Sequence, residues 1–84
     1  MPLEPQATLE VAQFLANGPT PEQIIAFHPS PEATERVYAL IAAEREGRIT
    51  AEERDELEGA IHLEHMMRLI KAEARLVLNK RACY

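Results

Sequence analysis

The sequence predicts an all-α protein, and three observations lead to this prediction. Alanine, leucine and glutamate dominate the 84 residues, and only 5% of the chain is aromatic, a composition that favours helices. No stretch shows the alternation of apolar and polar residues that is typical of a strand. Instead, short groups of proline, glycine, serine and threonine separate segments with helical periodicity. We therefore predict one domain over residues 1–84, with two short N-terminal helices followed by a long antiparallel helical hairpin.

The two short helices are predicted from their end signals. Residues 7–17 form the first helix, and Gly18 ends it because glycine readily adopts the left-handed conformation found after a helix. Residues 21–28 form the second helix. Thr20 precedes it as the N-cap, and Gln23 lies three residues later, so the two can form a capping box.

The hairpin consists of two longer helices joined by a tight turn. The first is predicted over residues 31–46, after the N-cap Ser30 and before Gly47. The second is predicted over residues 51–79, with Thr50 as its N-cap and an acidic first turn that complements the helix dipole.

Both ends of the chain are predicted to lie outside the helices. Residues 1–6 contain two prolines and should form a flexible arm, and residues 80–84 should form a tail. The tail contains Cys83, the single cysteine, which has no second thiol in the chain with which to form a disulfide. With no signal peptide and no apolar run long enough to span a membrane, the expected location is the cytoplasm.

The C-terminal half of the long helix carries more apolar surface than one neighbouring helix requires. At 100° per residue its apolar side chains span an arc of about 200°, twice the width of an ordinary buried stripe. A helix of this length is also about 43 Å long, whereas a compact domain of this size is about 30 Å across. We therefore predict a homodimer or higher oligomer, forming a dimeric helical bundle. The predicted interface residues are Leu63, Met66, Met67, Leu69, Ile70, Leu76 and Val77.

The net charge of −5 argues against a general nucleic-acid binder, but the charge is uneven. Residues 1–67 hold thirteen of the fourteen acids and four of the nine bases. The remaining bases form a possible basic patch that consists of Arg68, Lys71, Arg75, Lys80 and Arg81. These bases complement the C-terminal end of the helix dipole. In a dimer they could also bind phosphate or an acidic partner, which leaves a small nucleic-acid-binding regulator as the alternative function.

Two histidines on the long helix are weak candidates for a metal site. His62 and His65 are three residues apart and share one helical turn. Their spacing does not match the zinc motif HExxH or the di-iron motif ExxH. We therefore expect no metal and no cofactor, and a metal-binding helical protein is the least favoured function. No nucleophile–base pair or phosphate-binding loop stands out either, so the chain is not expected to be an enzyme.

Three motifs resemble those of a group of small bacterial helical proteins of about this length. They are GPTPEQIIAFHPSPEATERV, EGRITAEERDELE and LEHMMRLIKAEARL, and the resemblance covers about residues 13–78. The group is mostly uncharacterised, and some of its members look like antitoxins encoded beside small toxins. The resemblance implies a helical fold and a toxin-like partner protein, and it implies no catalytic residues. The preferred function is therefore a non-enzymatic protein–protein interaction module that self-associates through its long C-terminal helix.

Overall fold

The computed structural model describes residues 5–82 and is all-helical over that range. It contains α1 (Gln6–Ala16), α2 (Pro21–Ala26), α3 (Pro31–Arg45) and α4 (Ala51–Ala82). The expected fold class of four helices without strands is thus confirmed for the described residues. The molecule is elongated, with extents of 54 × 27 × 18 Å and a radius of gyration of 15.4 Å, because the 32-residue α4 is longer than the rest of the domain is wide.

The helix ends follow from local hydrogen bonding, as the sequence predicts. Thr20 and Gln23 form a reciprocal capping box at the start of α2, and Thr50 and Glu53 make the same pair of bonds before α4. At Ser30 the hydroxyl accepts a hydrogen bond from the backbone N–H of Ala33. Each of these bonds satisfies a backbone N–H group that the first turn of the helix leaves without a partner.

Glycines terminate α1 and α3 in the left-handed conformation. Gly18 has φ of 66° and donates its backbone N–H to the carbonyl of Leu15. Gly47 has φ of 73° and donates to the carbonyl of Glu44. A side chain at either position would be strained, so both glycines are required by the turns that follow the helices.

Five helix boundaries differ from the prediction. Three helices end one or two residues early: α1 ends at Ala16, α2 at Ala26 and α3 at Arg45, instead of at residues 17, 28 and 46. Gln6 was expected in the arm but is the first residue of α1, and α4 continues through Ala82 instead of ending at Asn79. No proline or glycine follows Asn79, so nothing in the backbone chemistry stops the helix there. The rest of the predicted arm and tail, residues 1–4 and 83–84, lies outside the described residues, and so does Cys83.

A small core joins α1, α3 and α4, and α2 contributes no buried residue to it. Its buried apolar residues among those described are Val11, Ala33, Leu40, Ala43, Leu57, Met67 and Ala74. Leu40 is 1% exposed and lies at the centre of the face that α3 turns inward. Three of the seven residues are alanines, so the apolar area that this core removes from water is modest.

Polar contacts fix how the helices are arranged around this core. Glu10 on α1 accepts hydrogen bonds from the backbone N–H of Ser30 at 2.8 Å and from its hydroxyl at 2.5 Å. These bonds lower the pKa of Glu10, with the bond from the Ser30 backbone as the largest cause. Between α3 and α4, Arg36 makes a bidentate ion pair with Glu56, with N–O distances of 2.9 and 3.0 Å. Thus α1 is attached to the start of α3, and α3 is attached to the first half of α4.

Candidate functional site

One side of α4 carries an exposed apolar stripe that nothing within the described chain covers. Met66, Leu69, Leu76 and Val77 are 53%, 50%, 51% and 39% exposed. At 100° per residue these four side chains fall within about 100° of one another. We call them the outer stripe, and all four belong to the interface that the sequence predicts. Exposed large apolar side chains that cluster on one face are the usual mark of an interaction surface.

The other side of the apolar arc is buried within the chain. Met67 and Ala74 belong to the core, and Leu63 and Ile70 are half-buried beside them. Met67 belongs to the predicted interface, but in the single chain it is only 8% exposed and lies about 100° around the helix axis from Met66. The structure thus divides the predicted arc into an inner half, which the domain uses itself, and the outer stripe.

The inner half is covered chiefly by α2, whose end is tied to the middle of α4. The ammonium group of Lys71 donates a hydrogen bond of 2.7 Å to the backbone carbonyl of Phe27, directly after α2. The ring of Phe27 stacks on that of Phe14 from α1, with centroids 4.4 Å apart. Neither contact was predicted, because each joins residues that are far apart in the sequence.

An open apolar groove lies between α3 and α4. It has a volume of about 570 Å³ and its apolar lining includes Val37, Tyr38, Ile41 and Ile61. Tyr38 and Ile61 are among the most exposed large apolar residues described. This groove is not among the sites that the sequence predicts. One sequence feature could have indicated the groove: Ile61 lies outside the apolar arc of about 200° on α4 and so faces a different side of the helix. Its position beside Tyr38, however, depends on how α3 and α4 pack.

The predicted basic patch does not form one surface. Lys71 is used within the fold, and Arg68 pairs with Glu64 one turn earlier at 2.6 Å. Arg75 lies on the same side of α4 as these two, whereas Lys80 and Arg81 point in other directions. The five bases therefore do not act as a single cluster within this chain.

The two histidines lie exposed on α4, about 60° apart around the helix axis. Within residues 5–82, no group of three His, Cys, Asp or Glu side chains is arranged to hold a metal ion. His62 and His65 therefore have no additional ligand from the described part of the chain. His62 lies beside the outer stripe, one turn before Met66.

Comparisons with protein-family models, with curated proteins and with solved structures found no match for this chain. The resemblance to small bacterial antitoxin-like proteins therefore stays a prediction. Among the helices described, none has both the length and the apolar character needed to cross a membrane.

Proposed function

We propose that this chain is a non-enzymatic interaction protein that self-associates through the outer stripe of α4. One observation carries the proposal: Met66, Leu69 and Leu76 are each about half exposed on the same face of one helix. Their 3- and 7-residue spacings are those of residues that meet a second helix side by side.

The size of the core supports the same proposal. A core of seven buried residues, three of them alanine, provides limited stabilisation for a chain of 84 residues. Burying apolar surface contributes about 25 cal/mol per Å², so a second copy placed against the outer stripe would add to a small total. The molecule is 54 Å long because α4 extends beyond the rest of the domain, and a second copy can therefore reach this part of α4.

We further propose that α3 and the first half of α4 form an antiparallel hairpin. The short turn over residues 46–50 and the ion pair between Arg36 and Glu56 support this arrangement. The cytoplasm is the proposed compartment, because a single cysteine suits a reducing environment.

The proposal of a toxin-like partner protein is supported by the resemblance alone. Self-association does not require such a partner. The nucleic-acid-binding regulator is the alternative function, and the scattered directions of Lys80, Arg81 and Arg75 around α4 weigh against it. A gel shift at moderate salt separates the two, because binding that survives moderate salt requires more than scattered charges.

The test of self-association compares two leucines of similar exposure. Leu69 lies in the outer stripe and is 50% exposed, and Leu9 lies on α1 and is 46% exposed. We expect Leu69→Glu to abolish concentration-dependent association in sedimentation equilibrium, because it places a charge in the interface. Leu9→Glu, the matched control, should associate like the unmodified chain.

Circular dichroism of both variants checks that they remain folded, since both positions are exposed in the single chain. Equal effects of the two substitutions, or no effect of either, would contradict an interface at the outer stripe.

A further inference from the structure

A longer pattern of exposed residues runs through the outer stripe. Starting at Asp55, positions separated alternately by four and three residues follow one side of α4 as far as Lys80. This alternation is the heptad spacing of helices that pair along their length. We call these eight positions the seam: Asp55, Gly59, His62, Met66, Leu69, Glu73, Leu76 and Lys80. All eight are exposed.

The charges on the seam disfavour a parallel pairing in register. In that arrangement each seam residue faces its own copy, so Asp55, Glu73 and Lys80 would each meet an identical charge. Like charges placed against each other oppose association. An antiparallel pairing instead brings the acidic start of one seam to the basic end of the other.

One antiparallel register matches every layer of the seam. It is centred between Met67 and Arg68, so Met66 of one copy faces Leu69 of the other. Moving outward from this centre, His62 faces Glu73, Gly59 faces Leu76, and Asp55 faces Lys80. Two-fold symmetry repeats each layer at the other end, so a carboxylate faces Lys80 twice and the imidazole of His62, a hydrogen-bonding partner, twice.

The neighbouring registers lack this match. A shift of one heptad in one direction places Glu73 against Asp55, which are both acidic. A shift in the other direction places His62 against Lys80, which are both basic, and Glu73 against the apolar Leu69. A buried mismatch of this kind is a known way in which polar seam residues select one register.

Gly59 provides an independent reason to place a second helix here. Glycine within a helix costs about 1 kcal/mol relative to alanine, and Gly59 is the ninth residue of α4. An added Cβ at this position would meet nothing within 4 Å, so packing within the chain does not require glycine. In the antiparallel register Gly59 lies opposite Leu76 of the second copy, where the missing side chain lets the larger one approach the helix backbone.

From this match of charge, size and spacing we infer that two copies of α4 pair antiparallel along the seam, with Asp55 of each copy against Lys80 of the other. This inference rests on the proposed self-association and adds to it the orientation and the register. The partner that the seam fits is therefore a second copy of this chain.

A charge-exchange cycle tests the register. We expect Lys80→Glu to raise the dimer dissociation constant about tenfold, because two ion pairs become two like-charge pairs by symmetry. Asp55→Lys should have a similar effect. The double variant Asp55→Lys/Lys80→Glu should recover most of the lost affinity, because the opposite charges face each other again. The cycle removes contributions, such as those of the helix dipole, that each substitution makes independently of the other.

The outcomes separate this inference from the proposed function. Recovery of affinity in the double variant, measured by sedimentation equilibrium, supports the antiparallel register. Association of all four proteins without recovery in the double variant overturns the register and leaves self-association standing. A monomeric unmodified chain at every concentration overturns both.

Discussion

Met66 and Met67 are adjacent in the sequence and have the same side chain, yet the first is 53% exposed and the second 8%. They represent the two sides of α4. The inner side packs against the short helices, whereas the outer side carries the outer stripe and the seam. The width of the apolar arc in the sequence indicates how much of the surface of α4 should be buried. Only the tertiary structure shows which part of that surface is buried within the same chain. The exposed remainder is where a second molecule can contribute.

Substitution of the two methionines should give the largest difference in the free energy of unfolding between the two sides of α4. Met67→Ala should lower the free energy of unfolding by about 2–4 kcal/mol, because it leaves a cavity in the core. Met66→Ala should change the same quantity by less than about 0.5 kcal/mol, as expected for an exposed position. Urea unfolding at low protein concentration, where association contributes little, measures both. Similar losses in the two variants would contradict the division of α4 into two sides.

Two lysines, one on each side of α4, allow the same comparison to be made with polar side chains. Lys71→Met should lower the free energy of unfolding by about 1–2 kcal/mol, because it removes the charged donor that bonds to the carbonyl of Phe27. Lys80→Met, on the outer side, should lower the stability of the single chain by less than about 0.5 kcal/mol, because it loses only an exposed interaction with the helix dipole. Thermal unfolding at low concentration distinguishes them, and equal stabilities would show that the bond of Lys71 does not hold α2 in place.

A substitution at Gly59 is expected to increase the free energy of unfolding, by a smaller amount than the losses above. Gly59→Ala should stabilise the single chain by about 0.5–1 kcal/mol, because alanine has the higher helix propensity and its Cβ meets nothing within the chain. Urea unfolding at low concentration measures the gain. A loss of stability would mean that a neighbouring group in the same chain needs this glycine.

The local part of the fold was predictable from the sequence, and its long-range part was not. The capping box of Thr20 and Gln23, the cap at Ser30 and the left-handed Gly47 all involve groups within a few residues of each other. Because the interacting residues are close together in the sequence, their types and spacing predict these contacts. In contrast, Lys71 reaches Phe27 across 44 positions, and no local pattern encodes that contact.

The interface prediction shows the same limit. Helical periodicity places Met66, Met67 and Leu69 on one arc, but periodicity alone does not show which of these side chains the rest of the chain covers. The heptad spacing of the seam, from Asp55 to Lys80, was present in the sequence. It became recognisable as one surface only when all eight positions were found exposed.

The smallest expected effect concerns Glu10, which attaches α1 to the start of α3. Its hydrogen bonds from Ser30 lower its pKa in the folded chain, so the unfolded chain binds a proton at higher pH than the folded one. The stability that Glu10 contributes is therefore present above its unfolded pKa and is lost as the pH falls through the lowered value. Glu10→Gln should make the unfolding midpoint less dependent on pH in this acidic range. An unchanged pH profile would contradict the role of the ionised carboxylate.

Sedimentation equilibrium of the unmodified chain, over a wide range of concentration, tests self-association through α4 most directly. The average mass should rise with concentration from the 9.5 kDa of one chain toward twice that value. A mass of 9.5 kDa at every concentration would contradict it.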